Sequence, residues 1–210
     1  MKRGLFISLE GTDGSGKSTQ LKLLTSYLHE RGYDPLITRE PGGTPLGEKI
    51  RDLLLDRDNT EIGYRTEALL YAAARAQHVF ELIEPALISG RMVICDRFID
   101  SSLAYQGYGR KLAGYVTSIN EFVITGCMPD KTFLFKVDVE TMRSRTSGKD
   151  RDRLECERAE FYGEVQKGYE ELEKIYPERI IGIDGSGSEE AVHAAVIGHL
   201  DSILKGYYDI

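Results

Sequence analysis

The amino-acid sequence predicts one doubly wound α/β domain, a five-stranded parallel sheet with helices on both faces. Short apolar runs of strand length alternate along the chain with longer stretches of helical periodicity. Such alternation brings each strand back parallel to the last and lays the crossover helices over the sheet. The segment Gly11-Thr12-Asp13-Gly14-Ser15-Gly16-Lys17-Ser18 fits the phosphate-binding pattern G-x-x-x-x-G-K-[ST] at every fixed position, and it lies between the first apolar run and the first helix. At 210 residues the chain is long enough for one well-buried domain and short for two.

Strands are expected at Leu5–Leu9, Asp34–Thr38, Met92–Cys95, Thr132–Val137 and Arg179–Ile183. Helices are expected at about Lys17–Arg31, Leu46–Leu55, Thr66–Ser89, Tyr115–Thr125, Val139–Arg145, Glu155–Ile175 and Glu189–Leu204. Leu21, Leu24 and Leu28 recur at helical spacing behind the glycine-rich turn. Gly185-Ser186-Gly187-Ser188 reads as a turn into the last helix, with a place beside a nucleotide base as the alternative. Ligands of such a sheet bind outside the carboxyl ends of its strands.

A strand, a glycine-rich turn and a helix N-terminus aim successive backbone N–H groups and the positive end of a helix dipole at one point, which suits a polyphosphate. Gly11 and Gly16 permit close backbone approach, Lys17 supplies a point charge for β- and γ-phosphates, and the Ser18 hydroxyl is placed to ligate Mg²⁺. Asp96 ends the apolar strand Met92-Val93-Ile94-Cys95, a position from which a carboxylate can hold the same ion. Arg39-Glu40-Pro41-Gly42-Gly43-Thr44 closes the second strand with a rigid bend, and Arg51 follows on the next helix. Paired guanidiniums beside a phosphate loop can bind a second, accepting phosphate. Tyr71 and Arg75 stand one turn apart on one helix face, where a ring can stack a base and a guanidinium can bond its carbonyl. Ser101-Ser102-Leu103-Ala104-Tyr105-Gln106-Gly107 could frame a ribose and a base edge, or form an ordinary helical turn. His78 has no second ligand at metal spacing.

The net charge of −7 argues against general binding to nucleic acid or anionic membranes. Cys95, Cys127 and Cys156 are widely spaced without a C-x-x-C pair, which reads as reduced thiols of a cytoplasmic protein. The N-terminus enters the first strand at once, and no export signal or membrane span is expected.

Gly11 to Ser18, Arg39-Glu40-Pro41-Gly42-Gly43, Asp96-Arg97-Phe98 and Tyr105-Gln106-Gly107, in this order and at these separations, resemble the thymidylate kinases, P-loop enzymes of the nucleoside monophosphate kinase type. The resemblance runs from Phe6 to about Leu204. It implies a single P-loop kinase domain over residues 1–210, with ATP as donor, Mg²⁺ as cofactor, dTMP as acceptor, a homodimer, and a mobile lid at about 143–155. It also implies roles for particular residues. Arg39, Arg51 and Arg97 grip the acceptor phosphate; Tyr71 stacks the pyrimidine; Arg75, Ser102 and Gln106 bond its edge; and Tyr105 lies beneath the deoxyribose. Lys17, Asp96, Arg97 and Arg153 carry the catalysis, with Ser18 and Asp96 on the metal. The donor nucleotide is held by Gly11, Thr12, Asp13, Gly14, Ser15, Gly16, Lys17, Ser18, Thr19 and Arg143, and Asp13 also lies near the acceptor sugar.

Arg143, Arg145, Lys149, Arg151 and Arg153 put five basic groups into eleven residues, either a solvated charge run or a lid that neutralises the transferring phosphoryl group. The family divides into members with an arginine inside the phosphate loop and members that supply it from the lid. Gly14 leaves the loop without one, so the lid is expected to provide it, although Asp13 resembles the other kind. A P-loop kinase for another acceptor stays open. A GTP-dependent switch needs an N-K-x-D segment, which the sequence lacks.

Overall fold

The computed structural model describes residues 2–124, 126–146, 152–154 and 156–208. Five strands, β1 (Phe6–Glu10), β2 (Leu36–Arg39), β3 (Val93–Asp96), β4 (Lys131–Lys136) and β5 (Ile180–Asp184), form one sheet in the order β2-β3-β1-β4-β5. Every pairing is parallel. β1 lies at the centre and is buried along its whole length; Phe6, Ile7 and Leu9 are apolar, as a strand covered on both faces requires, while the buried Ser8 and Glu10 are hydrogen-bonded to Thr132 Oγ1 and Phe98 N–H.

Its side chains divide the core in two. Phe6 joins Val93, Cys95 and Leu134 on one face. Ile7 and Leu9 join Ile94, Phe133 and Phe135 on the other. That second face is covered by α1 (Lys17–Glu30), through Leu24 and Leu28, and by α9 (Glu189–Tyr208), whose Val192, Val196, Leu200 and Leu204 recur every fourth residue. α2 (Pro45–Leu55) starts at the Thr44 hydroxyl, which accepts from the Gly47 N–H at 3.1 Å, with Pro45 in the first turn.

The first face carries α3 (Tyr64–His78), α4 (Glu84–Ile88), α5 (Ile99–Ser102), α6 (Ala113–Ile124) and α8 (Ala159–Ile175), while α7 (Val139–Thr146) lies against the phosphate loop. The helix expected over Thr66–Ser89 is interrupted. Val79–Ile83 widens into a π turn, with Glu84 N–H bonding Val79 O five residues back, because Pro85 has no N–H and its ring needs room in the preceding turn. A second π turn, Leu103–Gly109, prolongs α5, so the polar-aromatic run after Asp96 is helical and buried. α8 begins at Ala159, later than expected, and β2 at Leu36. Among the described residues no helix is long and apolar enough to cross a membrane.

Candidate active site

Parallel register sets the site. Leu9 pairs with Asp96 across β1 and β3, and Arg39 pairs with Asp96 across β2 and β3. Three strands therefore end side by side, and the Arg97 N–H bonds Leu9 O at 2.9 Å. The phosphate loop, the Asp96-Arg97-Phe98 turn and the Glu40-Pro41 bend open at one edge, as expected at the carboxyl end of such a sheet.

In the loop, a Cβ on Gly11 would lie 2.4 Å from Phe135 O, and one on Gly14 would lie 3.0 Å from Met142 O. Gly14 also has φ 76°, a left-handed conformation that glycine adopts freely and that a residue with a Cβ adopts at a cost of roughly 1 kcal/mol. The Lys17 ammonium folds back onto Gly11 O and Thr12 O, 2.9 Å each. Burial, then the charge of Arg97, pushes it down to about 8.

Arg97 occupies the left-handed region at φ 67°, an uncommon conformation for a side-chain-bearing residue and one that clusters at functional sites. Its guanidinium donates to Gly11 O and to Asp13 Oδ1, both at 2.8 Å. Burial works to raise the Asp13 carboxyl, but Arg97, helped by Lys17, outweighs it and holds the group at about 2. The turn is fixed from behind by Glu10, a residue that sequence reasoning passed over. Its buried carboxylate accepts from Phe98 N–H at 2.8 Å, Ser101 Oγ at 2.6 Å and Tyr169 OH at 3.1 Å. Burial first, and then Asp100, raises Glu10 to about 7.

Two cavities meet here. One is lined by residues 14–20, Arg39, Asp96, Arg145 and Gly185. The other is lined by Tyr71, Arg75, Ser102, Tyr105 and Gln106 with Pro41, Phe98 and Leu154. Asp13, Glu40, Arg51 and Arg97 line both. Asp96 Oδ1 is buried at this junction without a hydrogen-bond partner among the described residues, as is Ser15 Oγ, so acceptor oxygens are available for a cation. No group of three or more His, Cys, Asp or Glu side chains among the described residues could hold a metal unaided.

Arg75 is buried and most of its donors are spent inside the protein, on Glu40 Oε2 at 2.8 Å, Ser102 Oγ at 3.0 Å, Phe98 O at 3.1 Å and Asn120 Oδ1. Glu40 in turn meets His78 Nδ1 at 3.0 Å, and His78 Nε2 meets Thr38 Oγ1 at 2.7 Å. Arg51 donates to Pro41 O at 2.9 Å, while Arg39 pairs with Glu48 at 2.7 Å on the phosphate-loop side.

The expected lid arginines part company. Arg145 donates to Gly185 O at 2.9 Å and Gly14 O at 3.3 Å, beside the loop. Arg143 is exposed on α7. Arg153 turns the other way, onto Glu67 Oε2 and Leu54 O at 2.8 Å each. Arg151 lies outside the described residues.

A phosphate loop after the central strand of a parallel sheet, with a second polar cavity joined to it through arginines, defines a P-loop protein of the nucleoside monophosphate kinase fold. The family model for thymidylate kinase matches residues 9–196. A thymidylate kinase of Halothermothrix orenii is 52% identical over 199 residues, covering 92% of this chain and 95% of the relative. One of Caldanaerobacter subterraneus subsp. tengcongensis is 52% identical over 205 residues, covering 97% and 98%. The crystal structure of thymidylate kinase from Ehrlichia chaffeensis superposes with a TM-score of 0.77 at 37% identity, covering 94% of this chain and 99% of that one. The chain belongs to the thymidylate kinase family.

Proposed function

We propose that the protein phosphorylates dTMP to dTDP with ATP, the triphosphate lying in the phosphate-loop cavity and dTMP in the other. The observation that carries this reading is the junction itself, since Asp13, Glu40, Arg51 and Arg97 line both cavities, so the guanidiniums of Arg51 and Arg97 can reach phosphate groups from either side. An oxygen of the dTMP phosphate attacks Pγ as the bond from Pγ to the β,γ-bridging oxygen breaks, and ADP leaves with that electron pair. The nucleophile is already anionic, so positioning and charge neutralisation supply the rate.

Lys17 and Arg97 act on the transferring group, with Arg51 and Arg39 on the acceptor phosphate. Tyr71 offers the stacking plane, Tyr105 packs under the sugar, and Arg75, Ser102 and Gln106 form the polar end that meets the base. Ser18 and Asp96 would hold Mg²⁺, for which the unpartnered Asp96 Oδ1 is a fitting ligand; the ion supplies charge to the β- and γ-phosphate oxygens. Residues about 143–155 act as the lid, of which 147–151 and 155 lie outside the described residues. The contacts of Arg145 with Gly14 and Gly185 support a donor-side role for it, beside the Arg143 that the family resemblance implies there. The remaining donor-side set is Gly11, Thr12, Asp13, Gly14, Ser15, Gly16, Lys17, Ser18 and Thr19.

The protein acts as a homodimer in the cytoplasm. Leu53 on α2, Leu69 on α3 and Phe122 on α6 expose 52%, 54% and 83% of their surface on helices that pack together, which is where a second copy could be seated. Its three cysteines are free thiols, as in a reducing compartment. Incubation with ATP, Mg²⁺ and dTMP yields ADP and dTDP in equal amounts; ADP release that dTMP does not stimulate overturns the assignment.

A further inference from the structure

One buried carboxylate at the edge of the acceptor cavity has no part in the roles above. Glu67 lies on α3 one turn before Tyr71, and it is fully buried. Four donors converge on it. Gln106 Nε2 and Arg110 Nε reach Oε1, both at 3.1 Å, while Arg110 NH2 at 3.1 Å and Arg153 NH2 at 2.8 Å reach Oε2. Burial alone would raise this carboxyl, but the hydrogen bonds and charge of Arg110, with Gln106 and Arg153, hold it below the ordinary glutamate value. The group is therefore an anion that can only accept.

That fact orients Gln106. An amide placed against a carboxylate must present its NH2, so Nε2 and not Oε1 faces Glu67. Gln106 is itself buried, lines the acceptor cavity, and has no protein partner for Oε1 among the described residues. The oxygen is the end left for the cavity. An acceptor fixed at the base edge suits a ring N–H, which thymine carries at N3. Cytosine carries a lone pair at that position and would set acceptor against acceptor.

We infer that Glu67 is a positioning residue for base selection, locking the Gln106 amide with its oxygen toward the cavity and thereby favouring pyrimidines that bear a ring N–H over those that bear a ring acceptor. The inference rests on the reading that the base of a monophosphate lies between Tyr71 and Gln106. Arg110 and Arg153 keep the lock set by keeping Glu67 ionised, and they also predict what a neutral replacement does. In Glu67→Gln the two guanidiniums at Oε2 claim the new amide oxygen. Its NH2 then faces Arg110 Nε–H and Gln106; Arg110 gives up its Nε bond and keeps the one from NH2, while Gln106 must turn its own oxygen inward and offer NH2 to the cavity. The polarity of the base edge is reversed without loss of volume.

The test is titration calorimetry of dTMP and dCMP, alongside kcat/KM for both with saturating ATP, on the wild-type protein, Glu67→Gln and Gln106→Met. The expected result for Glu67→Gln is a fall of at least about tenfold in the preference for dTMP over dCMP, since a hydrogen-bonding site discriminates strongly only while its polarity is set. The KM for ATP stays within about twofold. A residue that merely supports the fold would weaken both monophosphates by one factor, and a preference kept within threefold in folded Glu67→Gln overturns the inference. Should that variant not fold by circular dichroism, Gln106→Met decides, because it removes the amide and leaves Glu67 and its arginines in place. It must lose the preference, and retention overturns the inference equally. A wild-type protein that binds dTMP and dCMP alike contradicts the acceptor reading itself rather than the role of Glu67.

Discussion

Replacing Arg97 by alanine removes a guanidinium that bonds the phosphate loop twice at the meeting point of the two cavities, at 2.8 Å to Gly11 O and to Asp13 Oδ1. Its charge acts on both phosphates at the reacting centre, so kcat/KM should fall by ~10² or more, which corresponds to about 2.7 kcal/mol of transition-state stabilisation. A competing account is that Arg97 matters for its backbone, held at φ 67°. Left-handed backbone costs roughly 1 kcal/mol for any residue with a Cβ and nothing comparable for glycine, so Arg97→Gly separates the two. If charge is what counts, the glycine and alanine variants lose activity alike and Arg97→Lys recovers part of it. If the turn is what counts, glycine keeps most of the activity. The alanine variant also deprives Asp13 of its main counter-charge, so its carboxyl, held at about 2, should move back toward the ordinary aspartate range. A coupled ADP-release assay measures the rates, and circular dichroism checks the fold. A loss smaller than about threefold in a folded Arg97→Ala protein would refute the reasoning.

Three further outcomes are expected. Lys17, at about 8 in the free protein, is charged below that pH and neutral above it. Since a triphosphate is bound by the charged form, kcat/KM for ATP should fall as pH rises through about 8; Lys17→Arg, which stays charged, should remove that limb, and an unchanged profile would point to another group. For Glu10 the folded value of about 7 lies above the ordinary 4.5, so the folded state keeps a proton that the unfolded chain releases. Its contribution to stability is complete below about 4.5 and is lost as pH rises to about 7. The Tm of Glu10→Gln should therefore gain on the wild type between pH 5 and pH 7.5, and a constant difference would contradict the shift. Among the basic residues of 143–153, Arg145→Ala should raise the KM for ATP, and Arg153→Ala, which takes a guanidinium from Glu67 Oε2, should lower kcat/KM for dTMP while leaving the KM for ATP within about twofold; Arg143→Ala stays within about twofold in both. Near-normal kcat and KM in all of these, Arg151→Ala included, would leave the segment a surface charge run.

Much of this architecture was legible because it depends on local pattern. Five apolar runs, the crossovers between them and the Gly11–Ser18 loop specify a parallel sheet with its site at the strand ends, and Arg39, Asp96 and Arg97 fall at those ends by position alone. What was not legible depends on partners distant in sequence. Pro85 is plain to read, yet it produces a π turn over Val79–Ile83 rather than a break, because the helix remains packed on the core. Arg153 looked like a phosphate ligand within a basic run, but it is held by Glu67, 86 positions earlier. Glu67 itself shares a face with Tyr71 and Arg75 at four-residue spacing, a signal present in the sequence and overlooked because nothing there shows that Gln106 and Arg110 converge on it. Glu10 likewise reads as the polar end of an apolar strand until Phe98, Ser101 and Tyr169 are seen around it.

The most direct measurement of the central claim is kcat/KM for a panel of monophosphates with ATP and Mg²⁺, scored by coupled ADP release. The pairing of the Tyr71 ring with a polar edge built from Arg75, Ser102 and Gln106 predicts that dTMP exceeds dCMP and dGMP by at least about tenfold, or about 1.4 kcal/mol in transition-state binding. Equal turnover of all three would contradict the account.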